Sequence, residues 1–348
     1  MTIAVAGDVL LHEGVVTQAR ADAKTNPAGA TNGMNFRPML APVASYLSKA
    51  DLAFCNLETP LAPAGGPYTG YPTFSVPQDI VPALKDAGFD ACTTASNHTV
   101  DKGFDGLKRT LDVLDANGIR HAGSSRTEQE RNTPTIMEVK GVKVALLAYG
   151  YGLNGFSTPA GKPWAVNLID IPTMLADAKA ARAAGAQIVA VAVHAGDEYV
   201  QLPNAQQRSV ATALAQSGLV DLIYGHHVHV VQPIDKIGDV WVAYGMGNLI
   251  HKQHTAAARA ATQAEALATF TFTEGADGRF HATAAEARPV AMASTTEPLL
   301  HTIDLPTLLA DKSLTGARRT AYQAVYDRSV KALLALGADT KGLTVVKP

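Results

Sequence analysis

An α/β fold, one domain containing two β-sheets, is predicted by three observations. Short apolar runs alternate with segments whose apolar residues recur at helical spacing. The apolar runs end abruptly in polar residues, as parallel strands do where they meet a crevice. The chain of 348 residues, 47% of them hydrophobic, is long enough to bury a substantial core unaided.

The elements follow in order. Ile3 to Ala6, Leu52 to Cys55 and Ala91 to Thr94 read as buried strands. Met39 to Lys49, Val81 to Ala87 and Phe104 to Leu114 read as the helices between them. Strand–helix alternation predicts right-handed crossovers and a mainly parallel sheet. Residues 25–36 and 60–72, rich in Gly, Pro and Asn, read as long loops. Val142 to Ala148 opens the second half as a strand. Alanine-rich helical segments follow at 173–184 and 204–217, around the strand Ile188 to Val193. Leu222 to Tyr224 and Val240 to Tyr244 read as strands flanking a histidine cluster. Ala268 to Thr273 and Phe280 to Ala285 form a hairpin across Gly275-Ala-Asp-Gly278, whose residues tolerate positive φ. Helices are expected at about 305–311 and 315–336, and the alanine-rich runs 175–185 and 255–268 read as helix formers. Residues 1–348 form one domain, with a site-bearing core over about 1–250 and the hairpin and helices over about 265–340.

Composition excludes several classes. Twenty-nine basic against 31 acidic side chains argue against a nucleic-acid partner, which requires a basic face. No run reaches the roughly 18 to 20 apolar residues of a bilayer span, so no membrane partner is expected. The first residues carry no basic region, apolar region or cleavage site, which predicts a cytoplasmic protein. Cys55 and Cys92 read as two buried small residues rather than a disulfide framework or a zinc knuckle. Gly7, Gly196 and Gly225 make no dinucleotide fingerprint.

The chemistry lies at strand ends. Asp8 follows the first strand, Glu58 the second, and Asn97 and His98 the third. His194 ends the strand from Ile188, and His226-His227-Val228-His229 follows Leu222-Ile-Tyr-Gly225. Five ends delivering Asp, Glu, Asn or His converge as a mixed oxygen and nitrogen metal site. Asp101, three residues beyond His98, either orients its ring for proton transfer or caps the following helix. His226 either orients its neighbours or packs in the core. Asp197 and Glu198 either pair with His194 or substrate, or remain solvated. Asn248 fits a turn or a substrate contact. Tyr68, Tyr71 and Phe74 line a pocket or pack on the surface, and His251, Lys252 and His254 either reach the site or stay in a loop.

The ordered segments GD, NLE, SNHTVDKG, VHAGDEY, GHHVHVVQP and GMGNL resemble the CapA-type branch of the calcineurin-like metallophosphatases, the branch of poly-γ-glutamate capsule synthesis. The resemblance runs from Ala6 to about Leu249. It implies a four-layer αββα sandwich with two central mixed β-sheets. It places Asp8, Glu58, Asn97, His194, His227 and His229 at ligand positions for one or two divalent metal ions, with Glu58 bridging and His98 as the acid beside the metal. The superfamily's Asp-x-His is absent, because Val9-Leu10-Leu11-His12 follows Asp8; His12 substitutes only if the loop bends, and otherwise faces solvent. Fewer nitrogen donors favour Ca²⁺, Mg²⁺ or Mn²⁺ over Zn²⁺.

Three activities fit. Similar peptide-tailoring enzymes invert a Cα centre in ribosomal peptides, lasso peptides among them. That reading is favoured here: an epimerase (isomerase) that stabilises an enolate on the metal. One acid/base pair is His98 with Asp101; the second is drawn from His194, His227 or His254, assisted by Asp8 or Asp197. The alternatives are synthesis or hydrolysis of a γ-glutamyl polymer, and phosphoester hydrolysis. A non-catalytic ligand-binding protein is the remaining reading. The expected partner is a peptide or γ-glutamyl substrate; the sequence leaves the oligomeric state open.

Overall fold

The computed structural model describes residues 1–253, 259–293 and 299–348. In chain order the elements begin β1 (Thr2–Val9), α1 (Glu13–Thr25), α2 (Arg37–Leu47), β2 (Leu52–Leu57), α3 (Ile80–Ala87), β3 (Ala91–Thr93), α4 (Gly103–Ala116) and β4 (Arg120–Ala122). There follow α5 (Glu128–Arg131), β5 (Thr135–Val139), β6 (Val142–Gly150), α6 (Ile171–Ala183), β7 (Ile188–His194), α7 (Ala205–Gln216) and β8 (Leu222–His226). Next come β9 (Ile234–Ile237), β10 (Val240–Ala243), β11 (Asn248–Ile250), α8 (Arg259–Thr262), β12 (Ala264–Glu274) and β13 (Phe280–Met292). The chain closes with β14 (Thr302–Asp304), α9 (Leu305–Ala310), α10 (Gly316–Leu333), a 3₁₀ turn at Ala338–Lys341 and β15 (Leu343–Val345).

Two mixed sheets form the centre. The first runs β14-β13-β12-β1-β2-β3-β4, with β11 also on β1 and β15 also on β13; the second runs β5-β6-β7-β8-β10-β9. The expected parallel pairing holds for β1-β2-β3-β4 and β6-β7-β8-β10. Antiparallel strands extend both sheets, β12 on β1 and β5 and β9 on the second, because hairpins need no crossover helix.

Strand β7 shows how the layers stack. Ile188, Ala190 and Ala192 point to the core between the sheets, while Val189, Val191 and Val193 pack with Met174 and Ala178 of α6 and Val210 and Leu214 of α7. A strand buried on both faces carries apolar residues without alternation. Aromatic rings close the space between the sheets: Phe54 of β2 stacks on Tyr224 of β8 at 6.4 Å, and Trp241 of β10 meets Phe270 of β12 at 6.4 Å.

Three expectations need correction. The alanine-rich run 255–268 is helical as expected over Arg259–Thr262 but strand from Ala264 onward, because β12 is clamped between β1 and β13 and tertiary pairing overrides helix propensity. Residues 255–258 of that run lie outside the described residues. Helix α1 was not foreseen; only Val15, Val16, Ala19 and Asp22 are buried, a stripe too thin to stand out in sequence. Cys55 and Cys92 are buried as expected, but they lie opposite one another on β2 and β3 and are joined by a disulfide. Topology alone brings them together. Among the described residues no helix is long and apolar enough to cross a membrane.

Candidate functional site

Close backbone approach sets the strand ends. A Cβ on Gly7 would lie 2.2 Å from the Gly247 carbonyl oxygen, and one on Gly225 would lie 2.0 Å from that of Tyr244. Only glycine permits these contacts. They bring Asp8 to the register position of Asn248 and carry His226 forward beside β7, where it pairs with His194. β1 is irregular between Val5 and Asp8, and bulges of this kind re-aim side chains beside active sites.

His227 and His229 occupy left-handed backbone, at φ +89° and +58°. Such conformations are costly for residues other than glycine and cluster at functional sites. The turn is held by hydrogen bonds from the His227 N–H to Asp8 Oδ2 (3.2 Å) and from the Tyr199 N–H to the Val228 carbonyl (2.8 Å).

These elements converge on one buried centre. Donor atoms of Asp8, Glu58 and His229 lie within 4.8 Å of one another, as do those of Glu198, His227 and His229. His194 Nε2 lies 2.7 Å from Asn97 Oδ1 and 4.0 Å from Glu58 Oε1, and its Nδ1 is 3.3 Å from Asn56 Nδ2. All six residues expected as metal ligands are therefore neighbours here, each at least nine-tenths buried.

Asn248 is not in a turn: it sits in β11, and its Oδ1 is 2.8 Å from His229 Nδ1. That bond leaves Nε2 of His229 for a ligand, as outer partners of metal-binding histidines do. Sequence reasoning missed this role, although Asn248 follows a strand-end glycine as Asp8 does. His226 is buried behind Asp8, with Nδ1 at 2.9 Å from Asp8 Oδ1 and its ring edge-on to Tyr224.

Beside this centre stands a dyad. His98 Nδ1 lies 2.8 Å from Asp101 Oδ2, which also accepts the Phe74 N–H at 2.7 Å. Asp101 therefore does not cap α4, whose N-cap position is Lys102. Phe74 is buried and packs edge-on to His98 at 4.8 Å, whereas Tyr71 is 79% exposed. His12 receives the Lys252 N–H at Nδ1 (3.2 Å) and packs edge-on to Phe74. His251 is buried, 3.4 Å from Glu265, while His254 lies outside the described residues. Asp197 receives the side chain of Asn204 at 3.2 Å.

The charges suit a cation. Burial pushes the Glu58 carboxyl well up, and neither of its buried oxygens has a hydrogen-bond partner. Asp8 is held well below the usual carboxylate range: burial opposes ionisation, but His226, His229 and His194 outweigh it. Burial depresses His194 strongly and His227 to about 3, which keeps both rings neutral as ligands must be. His229 is raised to about 9, because Glu58, Asp8 and Asn248 overcome its burial, so a cation binding there would displace its proton. A buried carboxylate with no partner is expensive, and a divalent ion among Asp8, Glu58 and the imidazoles would relieve it. The donor set of carboxylates, amide oxygen and imidazoles therefore fits a divalent ion.

The family described as "Bacterial capsule synthesis protein PGA_cap" matches residues 2–253. The chain is 32% identical over 212 residues to the PGA biosynthesis protein CapA of Bacillus subtilis, covering 59% of this chain and 53% of that one. It is 28% identical over 182 residues to the capsule biosynthesis protein CapA of Bacillus anthracis, covering 51% and 44%. The chain thus spans about half the length of these curated relatives. Among solved structures, the calcineurin-like phosphoesterase YfkN from Bacillus subtilis superposes with a TM-score of 0.51 at 14% identity, covering 97% of this chain and 98% of that one. The two mixed sheets between helical layers are accordingly the calcineurin-like four-layer αββα sandwich.

Proposed function

Because the chain belongs to the family of bacterial capsule synthesis proteins PGA_cap, we propose that it is a divalent-metal-dependent enzyme that cleaves the amide backbone of a γ-glutamyl polymer. One observation carries the reading: the partnerless buried carboxylate of Glu58, ringed by Asp8, His194 and His229, stands beside the His98–Asp101 dyad.

Asp8, Glu58, Asn97, His194, His227 and His229 would hold the ion, of the Mg²⁺, Ca²⁺ or Mn²⁺ kind. When bound, it polarises the scissile carbonyl and neutralises the charge that develops on its oxygen. Asn248 fixes the His229 ring through Nδ1. Asp101 fixes His98 through Nδ1, leaving Nε2 to exchange protons. Water adds to the carbonyl carbon as His98 takes its proton, the C–N bond breaks, and His98 returns that proton to the departing amine. Phe74 shields the dyad from solvent on one side.

Cα epimerisation asks for a second acid/base group opposite His98. Of the residues expected in that role, His194 is engaged between Asn56 and Asn97, His227 borders the cation position, Asp197 is tied to Asn204 and His254 lies outside the described residues. Hydrolysis needs only one dyad, and the geometry favours it.

The test uses purified protein stripped with chelator, reloaded with Mn²⁺ or Mg²⁺ and incubated with poly-γ-glutamate. Polymer length falls in the loaded protein and not in the stripped one. His98→Gln slows cleavage by about 10²–10⁴-fold with its metal content unchanged. Intact polymer in the presence of fully loaded protein would reject hydrolysis, and deuterium entering Cα of an uncut peptide would return the assignment to epimerisation.

A further inference from the structure

The six assigned donors are buried, and beside two of them stands an exposed residue with no role in that reading. Glu198 lies in the loop after β7, exposed, with a carboxylate oxygen within 4.8 Å of ligand atoms of both His227 and His229. Its position is not that of a loose surface charge. The next residue, Tyr199, is in left-handed backbone at φ +65°, and its N–H binds the Val228 carbonyl at 2.8 Å. The loop bearing Glu198 is therefore fastened to the turn that carries both histidines. The Tyr199 hydroxyl receives Gln253 Nε2 at 3.1 Å, and Gln253 Oε1 receives Asn248 Nδ2 at 2.9 Å, which links the loop to the residue that orients His229.

Two further observations point to a ligand between these groups. His227 is 4% exposed, and its Nδ1 is buried with no hydrogen-bond partner. His229, with Nδ1 given to Asn248, has Nε2 free to face either carboxylate. Glu58 and Glu198 thus approach the same imidazole, one buried and one exposed.

We propose that Glu198 is itself a ligand for a hard divalent cation, closing the solvent side of the centre together with His227 and His229. A carboxylate from the β7 loop then supplies the donor that the chain lacks after Asp8, where leucine stands in place of histidine. An oxygen donor there reinforces the preference for Mg²⁺, Ca²⁺ or Mn²⁺.

The proposal rests on the metal-centre reading above, and the experiment separates the two. Mn²⁺ is titrated into the chelator-stripped full chain and read by the electron paramagnetic resonance signal of the free ion, giving affinity and stoichiometry. Glu198→Gln weakens Mn²⁺ by at least about tenfold or removes one equivalent. Glu198→Asp restores part of the loss, and Asp197→Asn, one residue away, binds as wild type does. Wild-type binding in Glu198→Gln together with loss of binding in Glu58→Gln overturns the role of Glu198 alone. No Mn²⁺ binding by the unaltered protein overturns the metal centre and this proposal with it.

Discussion

Two polar regions of this molecule differ in how their charges are completed. A cavity of about 680 Å³ lies away from the strand-end centre, lined by Arg126, Glu130, His121 and Asp177 among others. There Arg126 meets Asp112 at 2.9 Å, Asp115 at 2.7 Å and Glu130 at 2.6 Å, and Arg131 and the Tyr149 hydroxyl both reach Asp177 at 2.7 Å. At the strand-end centre, Glu58 and His227 have buried atoms without partners. Satisfied charges hold elements together, whereas unsatisfied buried ones wait for a ligand. Completeness of the polar network distinguishes these two regions.

The sharpest way to break that contrast is Asp8→Asn. The amide keeps the shape and the contact with Asn56 but removes the charge that faces His226, His229 and the cation position. Metal content by elemental analysis falls from one or two equivalents to near zero, and cleavage of the polymer falls to background, with the fold intact by circular dichroism. Retained metal would mean that the centre does not depend on its strand-end carboxylate.

Arg126→Met should do the reverse. It strands three carboxylates around a partly exposed position, so the loss is modest, roughly 1 kcal/mol as for networks near the surface. Thermal unfolding reads the loss while metal content and turnover stay at wild-type values. Altered metal binding would show that the two regions are coupled.

The smallest effect concerns His121, which is buried beside Asp115 and Glu130. Burial lowers its pKa below the ordinary 6.5, and Asp115 and Glu130 offset this only in part. A histidine depressed in the folded state binds fewer protons there than in the unfolded chain. Its contribution to stability is therefore complete above pH 6.5 and declines as pH falls through 6.5 toward the folded value. His121→Gln should flatten the fall in urea midpoint over that window. An unchanged slope would assign the dependence to other groups.

Much of the strand-end centre was legible because one device repeats. An apolar run stops at Asp8, Glu58, Asn97, His194 or His226, and parallel strands deliver their carboxyl ends to a common edge. The His98–Asp101 pair was legible from its spacing, but its choice between orienting the ring and capping α4 was not. That choice was made by the Phe74 N–H, 27 residues earlier in the chain, which claims the same carboxylate oxygen. The bond of Asn248 to His229 was not legible, because it depends on the pairing of β11 with β1.

By itself the sequence determined the strands β1, β2, β3, β6, β7, β8, β10, β12 and β13, the helices with broad apolar faces and the residue types at each strand end. These depend on local periodicity, which a single chain displays directly. The tertiary structure decided which strands pair antiparallel, that Ala264–Ala268 extends rather than coils, that Cys55 meets Cys92, and that Glu198 faces His227 and His229. Those outcomes come from residues far apart in sequence competing for the same space and the same hydrogen-bond partners, and no local pattern records which of them wins.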